Sequence, residues 1–321
     1  MPGRKTQKKT ATFTLRLGTR SSNLALTQSR LITGLLEKAH PGLKVELVEI
    51  KTTGDEVRDK PLHSFGGAGV FVKELEIALI ENRIDLAVHS LKDMPTVQPA
   101  ELILGAIAGR EDPRDVAVVK NGVKLKDLPP GSVIGTGSMR RRAQIKFKFP
   151  QLAFTEIRGN VETRLRKVAQ GEYSGTILAR AGLRRLGLLA RATETLPLAT
   201  VLPAPGQGAL GIECRKGDLR VRRLLKPLHN PEVASCVIAE RAALQALGGG
   251  CHLPLGAVGT VEAAGMLRLK AVLGHPDGSL FARAEDSMPL NRARQLGQRV
   301  AKMILNAGGQ AILDRLDGEK K

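Results

Sequence analysis

An ammonium and a carboxylate, Lys92 and Asp93, stand together shortly after the apolar run Leu86-Ala87-Val88, and Pro95 then stops regular structure. A carboxylate so placed can bind N–H groups, stabilise a developing cation and move protons. Other apolar runs end in guanidinium groups. Arg20 follows Leu15–Thr19, and Arg140, Arg141 and Arg142 follow Ser132–Gly135. Arg158 follows Leu152–Ile157, with Arg164 a turn later, and Arg184 and Arg185 follow Thr176–Ala179. Guanidinium forks grip carboxylates at two points and keep their charge. Ser22 and Ser138 are candidate N-caps beside backbone N–H groups suited to anions. Cys251 offers different chemistry. It follows Gly248-Gly249-Gly250, and a thiol on a glycine loop is accessible enough to be a nucleophile. Cys214 alternates with Leu210 and Ile212 as a small core hydrophobe, and Cys236 lies in a helical pattern with no evident partner. Taken singly, each charge reads as a solvated surface group, and Lys92–Asp93 as a strand-end ion pair of little consequence. Their recurrence at the carboxyl ends of strands points to one shared ligand cleft.

The hydrophobic pattern supplies the elements that would position these groups. Strand patterns cover Leu15–Thr19, Lys44–Ile50, the run from Ile84 and Leu102–Ala108. Helical spacing covers Asn23–Ala39, with Leu24, Leu31, Leu35 and Leu36 on or near one face, and Val72–Asn82. After the polar crossing Gly109–Asp115, a second alternating unit places strands at Val116–Val119, Ser132–Gly135, Leu152–Ile157 and Thr176–Ala179. Its helices are Ser138–Phe147, Val161–Gln170 and Ala181–Leu186. Leu202–Gly208 reads as a return linker that feeds a strand, Ala209–Glu213, back to the first sheet. From Asn230 an α+β order follows, with a helix Pro231–Leu247, strands near Leu255–Val261, Met266–Leu273 and Leu280–Ala284, and helices Asn291–Leu305 and Ala311–Leu316. The expected fold class is α/β, two lobes around a hinged cleft plus a smaller α+β domain. Domain 1 is expected at 14–108 with 207–226, domain 2 at 109–206 and domain 3 at 230–321, behind a basic disordered tail at 1–13. Lys51–Gly69, charged and then glycine-rich with few apolar anchors, has the composition of a lid or of a disordered connection.

Composition narrows the function classes. The net charge of +19 invites a nucleic-acid reading, but aromatics are only 2%, with no Trp and one Tyr, so stacking platforms are scarce. A cleft for a small polyanion accounts for the charge as well. No apolar run approaches the ~18 residues of a membrane span, and no apolar region follows the basic start. Three cysteines make no disulfide framework, which suits a reducing, cytoplasmic setting.

His89-Ser90-Leu91-Lys92-Asp93-Met94-Pro95, Arg110-Glu111-Asp112-Pro113-Arg114-Asp115 and Gly248-Gly249-Gly250-Cys251, in this order, resemble the porphobilinogen deaminase (hydroxymethylbilane synthase) family. So do Gly18-Thr19-Arg20-Ser21-Ser22, Arg158-Gly159-Asn160-Val161, Thr163-Arg164-Leu165 and Pro205-Gly206-Gln207-Gly208, and the resemblance runs from about Leu15 to about Leu316. It implies that domains 1 and 2 are periplasmic-binding-protein-like and that the third carries a cysteine loop. It implies a dipyrromethane cofactor, made from substrate and joined by a thioether, here at Cys251, and a catalytic aspartate at Asp93. Cofactor and substrate binding then fall to Arg20, Ser22, Lys92, Ser138, Arg140, Arg141, Arg158, Arg164, Arg185, Gln207 and Gly208, with no metal. The implied reaction joins four porphobilinogen molecules head to tail with loss of ammonia, giving linear hydroxymethylbilane for tetrapyrrole biosynthesis. The implied enzyme is a cytoplasmic monomer with no nucleic-acid or membrane partner. Porphobilinogen carries an acetate and a propionate, so a growing chain accumulates carboxylates, which suits arginine forks. One feature departs from the family. Its members often have Gly-Gly-Lys-Gly where this chain has Gly66-Gly67-Ala68-Gly69, so that lysine is not carried over, and Lys60, Lys73 or the loop backbone are left to replace it.

The competing reading is a two-lobed, non-catalytic binder of small anions. It would share the first two lobes but has no need of Cys251 or of a carboxylate among arginines. A nucleic-acid binder rests on net charge alone.

Overall fold

The computed structural model describes residues 13–51, 72–250 and 253–319. The basic tail, the segment with Lys60, Gly66, Gly67, Ala68 and Gly69, and Cys251 itself lie outside those residues.

The first lobe contains β1 (Phe13–Thr19), α1 (Asn23–Ala39), β2 (Leu43–Glu49), α2 (Lys73–Ile80), β3 (Leu86–Ser90) and β4 (Leu102–Arg110). The second contains β5 (Asp115–Val119), β6 (Val133–Gly135), α3 (Met139–Lys148), β7 (Ala153–Thr155), α4 (Val161–Gln170), β8 (Gly175–Ala179), α5 (Arg180–Arg185) and the two-residue β9 (Glu194–Thr195). β10 (Ala209–Arg215) then returns to the first sheet. The sheet orders are β2-β1-β3-β10-β4 and β7-β6-β8-β5-β9. Each is a parallel triplet extended by an antiparallel strand that crosses from the other lobe, β10 in one and β5 in the other. The two crossings make the hinge. Leu86–His89 of β3 are buried, as a sheet covered on both faces requires.

Two expectations are corrected. The buried face of α1 is Gln28, Ser29, Ile32 and Leu36, whereas Leu31 and Leu35 are exposed at 48% and 40%. Positions 28, 32 and 36 recur every four residues on one stripe, and 31 and 35 stand about 100° away from it. The helix expected at Val72–Asn82 is shorter, and Asn82 has φ 57, which breaks it before β3.

The third unit follows α6 (Leu219–Leu225), which the hydrophobic pattern did not mark. It comprises α7 (Pro231–Ala246), β11 (Leu255–Val261), β12 (Met266–Gly274), β13 (Phe281–Pro289), α8 (Ala293–Ile304) and α9 (Gln310–Gly318). The strands form an antiparallel meander, and α7 and α8 bury Ala239, Ala243, Leu296 and Val300 against Leu255, Leu267 and Leu269. A methyl group at Gly297 would collide with the Ala239 carbonyl, so glycine there sets the close approach of α7 and α8. Glu240 of α7 is fully buried and joins all three units. It accepts from Arg110 Nη1 (2.6 Å) and Nη2 (3.1 Å), from the Gly206 N–H (2.7 Å) and from the Gly259 N–H (2.7 Å). One carboxylate thus holds the outgoing crossing, the return linker and the third sheet.

Candidate active site

β3 delivers the chain to the carboxyl edge of the first sheet, where Leu91–Asp93 form one 3-10 turn. In such a turn residues i and i+3 fall on one side. Leu91 and Met94 are both buried against Ile107, Ala209, Ala234 and Val237, so the opposite side of the turn presents Lys92 and Asp93. Asp93 is exposed and Lys92 is partly exposed. His89, grouped with the polar strand end in the sequence, points elsewhere. It is buried, with Nε2 3.0 Å from Glu213 Oε2, and Gln98 Nε2 donates to the other Glu213 oxygen at 2.8 Å. Gly211 pairs opposite His89, and Glu213 is its diagonal neighbour on the same face of β10.

The second lobe supplies the facing wall. Ser138 caps α3, its oxygen 3.4 Å from the Arg141 N–H, and Ser22 caps α1 in the same way through Ala25. Arg140 and Arg141 open α3, where the helix dipole disfavours cations. A bound anion would offset that cost, and the protein contains an anion of its own. Asp115, fully buried at the start of β5, accepts from Arg140 Nη1, Arg141 Nη2 and Gln207 Nε2, each at 2.8 Å. Arg140 also donates to the Leu202 carbonyl (2.6 Å) and Arg141 to the Ile177 carbonyl (2.9 Å). Burial alone would raise the Asp115 carboxyl, and the charges of Arg140 and Arg141 reverse this and hold it well below the usual carboxylate range. Sequence reasoning missed Asp115; its one signal was an acid directly ahead of the apolar strand Val116–Val119.

The remaining cations line the same region. Arg158 pairs with Glu156 (2.7 Å), Arg164 Nε donates to the Gly159 carbonyl (2.8 Å), and Arg185 Nη2 donates to the Gly208 carbonyl (2.6 Å). Gly208 has φ +90, and a side chain there would meet the Glu111 carbonyl, so this approach requires glycine. Burial, then Arg141, push the Arg164 guanidinium down to about 10, against the attraction of Asp93 and Glu156. Burial likewise lowers the Lys92 ammonium; Asp93 and Asp115 oppose the shift and Arg141 and Arg140 reinforce it. Lys92 and Asp93 of the first lobe therefore sense the arginines of the second across the cleft. Arg20, partly exposed, sits at the α1 entrance. Lys73 opens α2 and is exposed.

In this region three buried side-chain atoms, Arg141 Nε, Arg185 Nε and Gln207 Oε1, lack a hydrogen-bond partner among the described residues. The described thiols are inert. Burial pushes Cys214 and Cys236 up to about 11, leaving little thiolate at neutral pH. Among the described residues no cluster of His, Cys, Asp and Glu could hold a metal, and no helix is long and apolar enough to cross a membrane.

Fold and cleft define a two-lobed α/β protein with a cationic cleft and an attached α+β unit. Residues 15–223 match the family model described as porphobilinogen deaminase, dipyromethane cofactor binding domain, and residues 234–306 match its C-terminal domain. The porphobilinogen deaminase of Gloeobacter violaceus is 47% identical over 307 residues, covering 94% of each chain. That of Chromobacterium violaceum is 47% identical over 297 residues, covering 92% of this chain and 96% of its own. Among solved structures, the periplasmic aliphatic sulphonate binding protein from Escherichia coli is similar with a TM-score of 0.37 at 15% identity, covering 72% of this chain and 69% of that one. The chain belongs to the porphobilinogen deaminase family.

Proposed function

We propose that the cleft between the two lobes is the active site of a hydroxymethylbilane synthase. The enzyme is a transferase that condenses four porphobilinogen molecules head to tail with loss of ammonia, in tetrapyrrole biosynthesis. The observation that carries the site assignment is the Lys92–Asp93 turn, set at a buried strand end and electrostatically coupled to Arg141 and Arg164 of the facing lobe. The domain division proposed is 14–108 with 207–226, 109–206 and 230–321, and the membership of the three sheets supports it. A cytoplasmic monomer acting without nucleic acid completes the reading; the sparse, buried cysteines support the reducing compartment.

The dipyrromethane cofactor, attached in this reading through Cys251, supplies when bound the nucleophilic pyrrole end to which substrate is joined. Arg141, Arg158, Arg164 and Arg185 would hold its acetate and propionate groups and those of porphobilinogen. Arg20, Lys92 and the capped helix starts at Ser22 and Ser138 add positive potential. Arg140 would join them; like Arg141 it donates both to Asp115 and to a main-chain carbonyl, Leu202 for Arg140 and Ile177 for Arg141. Gln207 and Gly208 shape the hinge side of the pocket. The substrate aminomethyl group leaves in its protonated form: the C–N bond breaks, its electron pair goes with the –NH3+ nitrogen as neutral ammonia, and a methylene-pyrrole cation remains. The Asp93 carboxylate binds ring N–H groups, stabilises that cation and takes the proton released when the new carbon–carbon bond forms. Lys92 beside it balances the carboxylate's charge.

Asp93→Asn preserves size and deletes the charge. Single-turnover ammonia release should fall by at least ~100-fold, while the intact mass still shows the cofactor increment. A near wild-type rate in the folded, loaded variant would leave Asp93 as a mere ion-pair partner. A non-catalytic binder would lack the mass increment altogether, and Cys251→Ser should lack it too.

A further inference from the structure

The turn that carries Asp93 is held from a direction the reaction does not require. Arg241 of α7 donates Nη1 to the carbonyls of Met94 (2.9 Å) and Leu91 (3.2 Å), and Nη2 to the carbonyl of Pro95. These three carbonyls bracket Asp93 on both sides. The apolar underside of the turn rests on the same helix, since Leu91 and Met94 pack against Ala234 and Val237. α7 then runs into Gly248-Gly249-Gly250, immediately before Cys251. A Cβ at Gly249, whose φ is +48, would lie 3.0 Å from Thr96 Oγ1, three residues past Asp93. The glycine loop thus touches the exit of the catalytic turn. One turn of α7 also presents Glu240, which holds the hinge and the third sheet. From inside the first lobe, Glu213 clasps both roots of the turn through His89 and Gln98.

We propose that Arg241 is a positioning residue for Asp93, and that through it α7 fixes the catalytic carboxylate and the cofactor-attachment loop relative to one another. This rests on the reading of Asp93 as the catalytic group. The guanidinium fork suits the task because its separate nitrogens span carbonyls on both sides of the carboxylate, which a single ammonium cannot do. Displacing a catalytic group by about 1 Å can cost ~100-fold in rate. Loss of Arg241 should therefore lower kcat while leaving the cationic pocket, and so KM, nearly intact. A purely structural cap would lower thermal stability and leave the turnover of each folded, loaded molecule unchanged.

The test uses full-length holoenzyme carrying Arg241→Gln or Arg241→Lys, with Asp93→Asn alongside. Steady-state kinetics would be read per cofactor-loaded molecule, the loading by intact mass, and the turn by amide hydrogen exchange. For Arg241→Gln the expected result is a kcat lowered roughly 10- to 100-fold, KM within about twofold, and faster exchange confined to the amides of Ser90–Gln98. Arg241→Lys should fold and recover part of the rate. Wild-type kcat in loaded Arg241→Gln or Arg241→Lys, or unchanged exchange in the turn, overturns the proposal. Loss of turnover in Asp93→Asn together with wild-type behaviour at Arg241 overturns this inference alone. Wild-type turnover in Asp93→Asn overturns the catalytic reading beneath it, and the inference with it.

Discussion

Asp115→Asn is the sharpest test of how the cationic wall is built. The native carboxylate is fully buried, and its three acceptor contacts, to Arg140, Arg141 and Gln207, are all 2.8 Å long. Arg140 and Arg141 are themselves buried, at 4% and 7% exposure. The amide keeps the volume and one acceptor oxygen, but it turns an N–H₂ toward donors and strips two buried guanidinium groups of their counter-charge. Removing one side of a buried ion pair costs about 3–5 kcal/mol, which for a chain of this length corresponds to a Tm lower by roughly 5–7 °C. The pH dependence has a definite sign. The folded-state pKa of Asp115 is depressed, so its stabilisation is complete above the unfolded value near 4 and disappears as pH falls toward the folded value. The stability gap between wild type and Asp115→Asn should thus be flat from neutral pH down to about 5 and shrink on further acidification. Denaturant unfolding of both proteins across that range measures it. A gap under ~1 kcal/mol at pH 7, or one that widens in acid, would refute the account of Asp115 as the internal counter-ion of α3.

Cys214 and Cys236, with thiols pushed up to about 11, should resist alkylation in folded protein at pH 8; labelling at the rate of an exposed thiol would contradict their burial. Cys214→Ala should keep the cofactor mass and lose only about 1–2 kcal/mol of packing, read by thermal unfolding. Arg141→Leu should both destabilise the protein, because Asp115 keeps one cation fewer, and impair elongation, seen as accumulation of partly elongated enzyme by intact mass. Arg142→Leu, at an exposed position on the same helix, should stay within ~0.5 kcal/mol of wild type and turn over normally; a defect as large as that of Arg141→Leu would show that surface charge, not the cleft, is being read.

What could be read from the sequence, and what could not, divides by distance along the chain. The parallel triplets, α1, α4 and the third-unit meander follow from local periodicity and from capping residues such as Ser22, Ser138 and Asn160, all of which cap in the structure. Lys92 and Asp93 were visible because the signals that expose them, a buried strand before them and Pro95 after, lie within a few residues. Glu240, Glu213 and Arg241 carry no such local signal, and Asp115 has only its place directly ahead of an apolar strand. Their partners lie far away in sequence: Asp115 to Gln207 spans 92 residues, Glu213 to His89 spans 124, Glu240 to Arg110 spans 130 and Arg241 to Leu91 spans 150. α7 is the clearest case. It buries Ala234 and Val237 against the turn that carries Leu91 and Met94 and Ala239 and Ala243 against the third sheet, so it has no single apolar stripe and its pattern says nothing about which neighbour it serves. The same limit applies to the charge of the cleft. Counting arginines at strand ends points to a shared cleft, but the charge available to a ligand depends on which guanidiniums the fold has already neutralised. Arg140 and Arg141 are adjacent in sequence and both donate to Asp115; Arg140 also spends Nη1 on the Leu202 carbonyl, and Arg141 spends its own Nη1 on the Ile177 carbonyl. An anion entering this cleft therefore meets two neighbouring arginines already partly neutralised by one carboxylate that the topology brings in from the crossing strand.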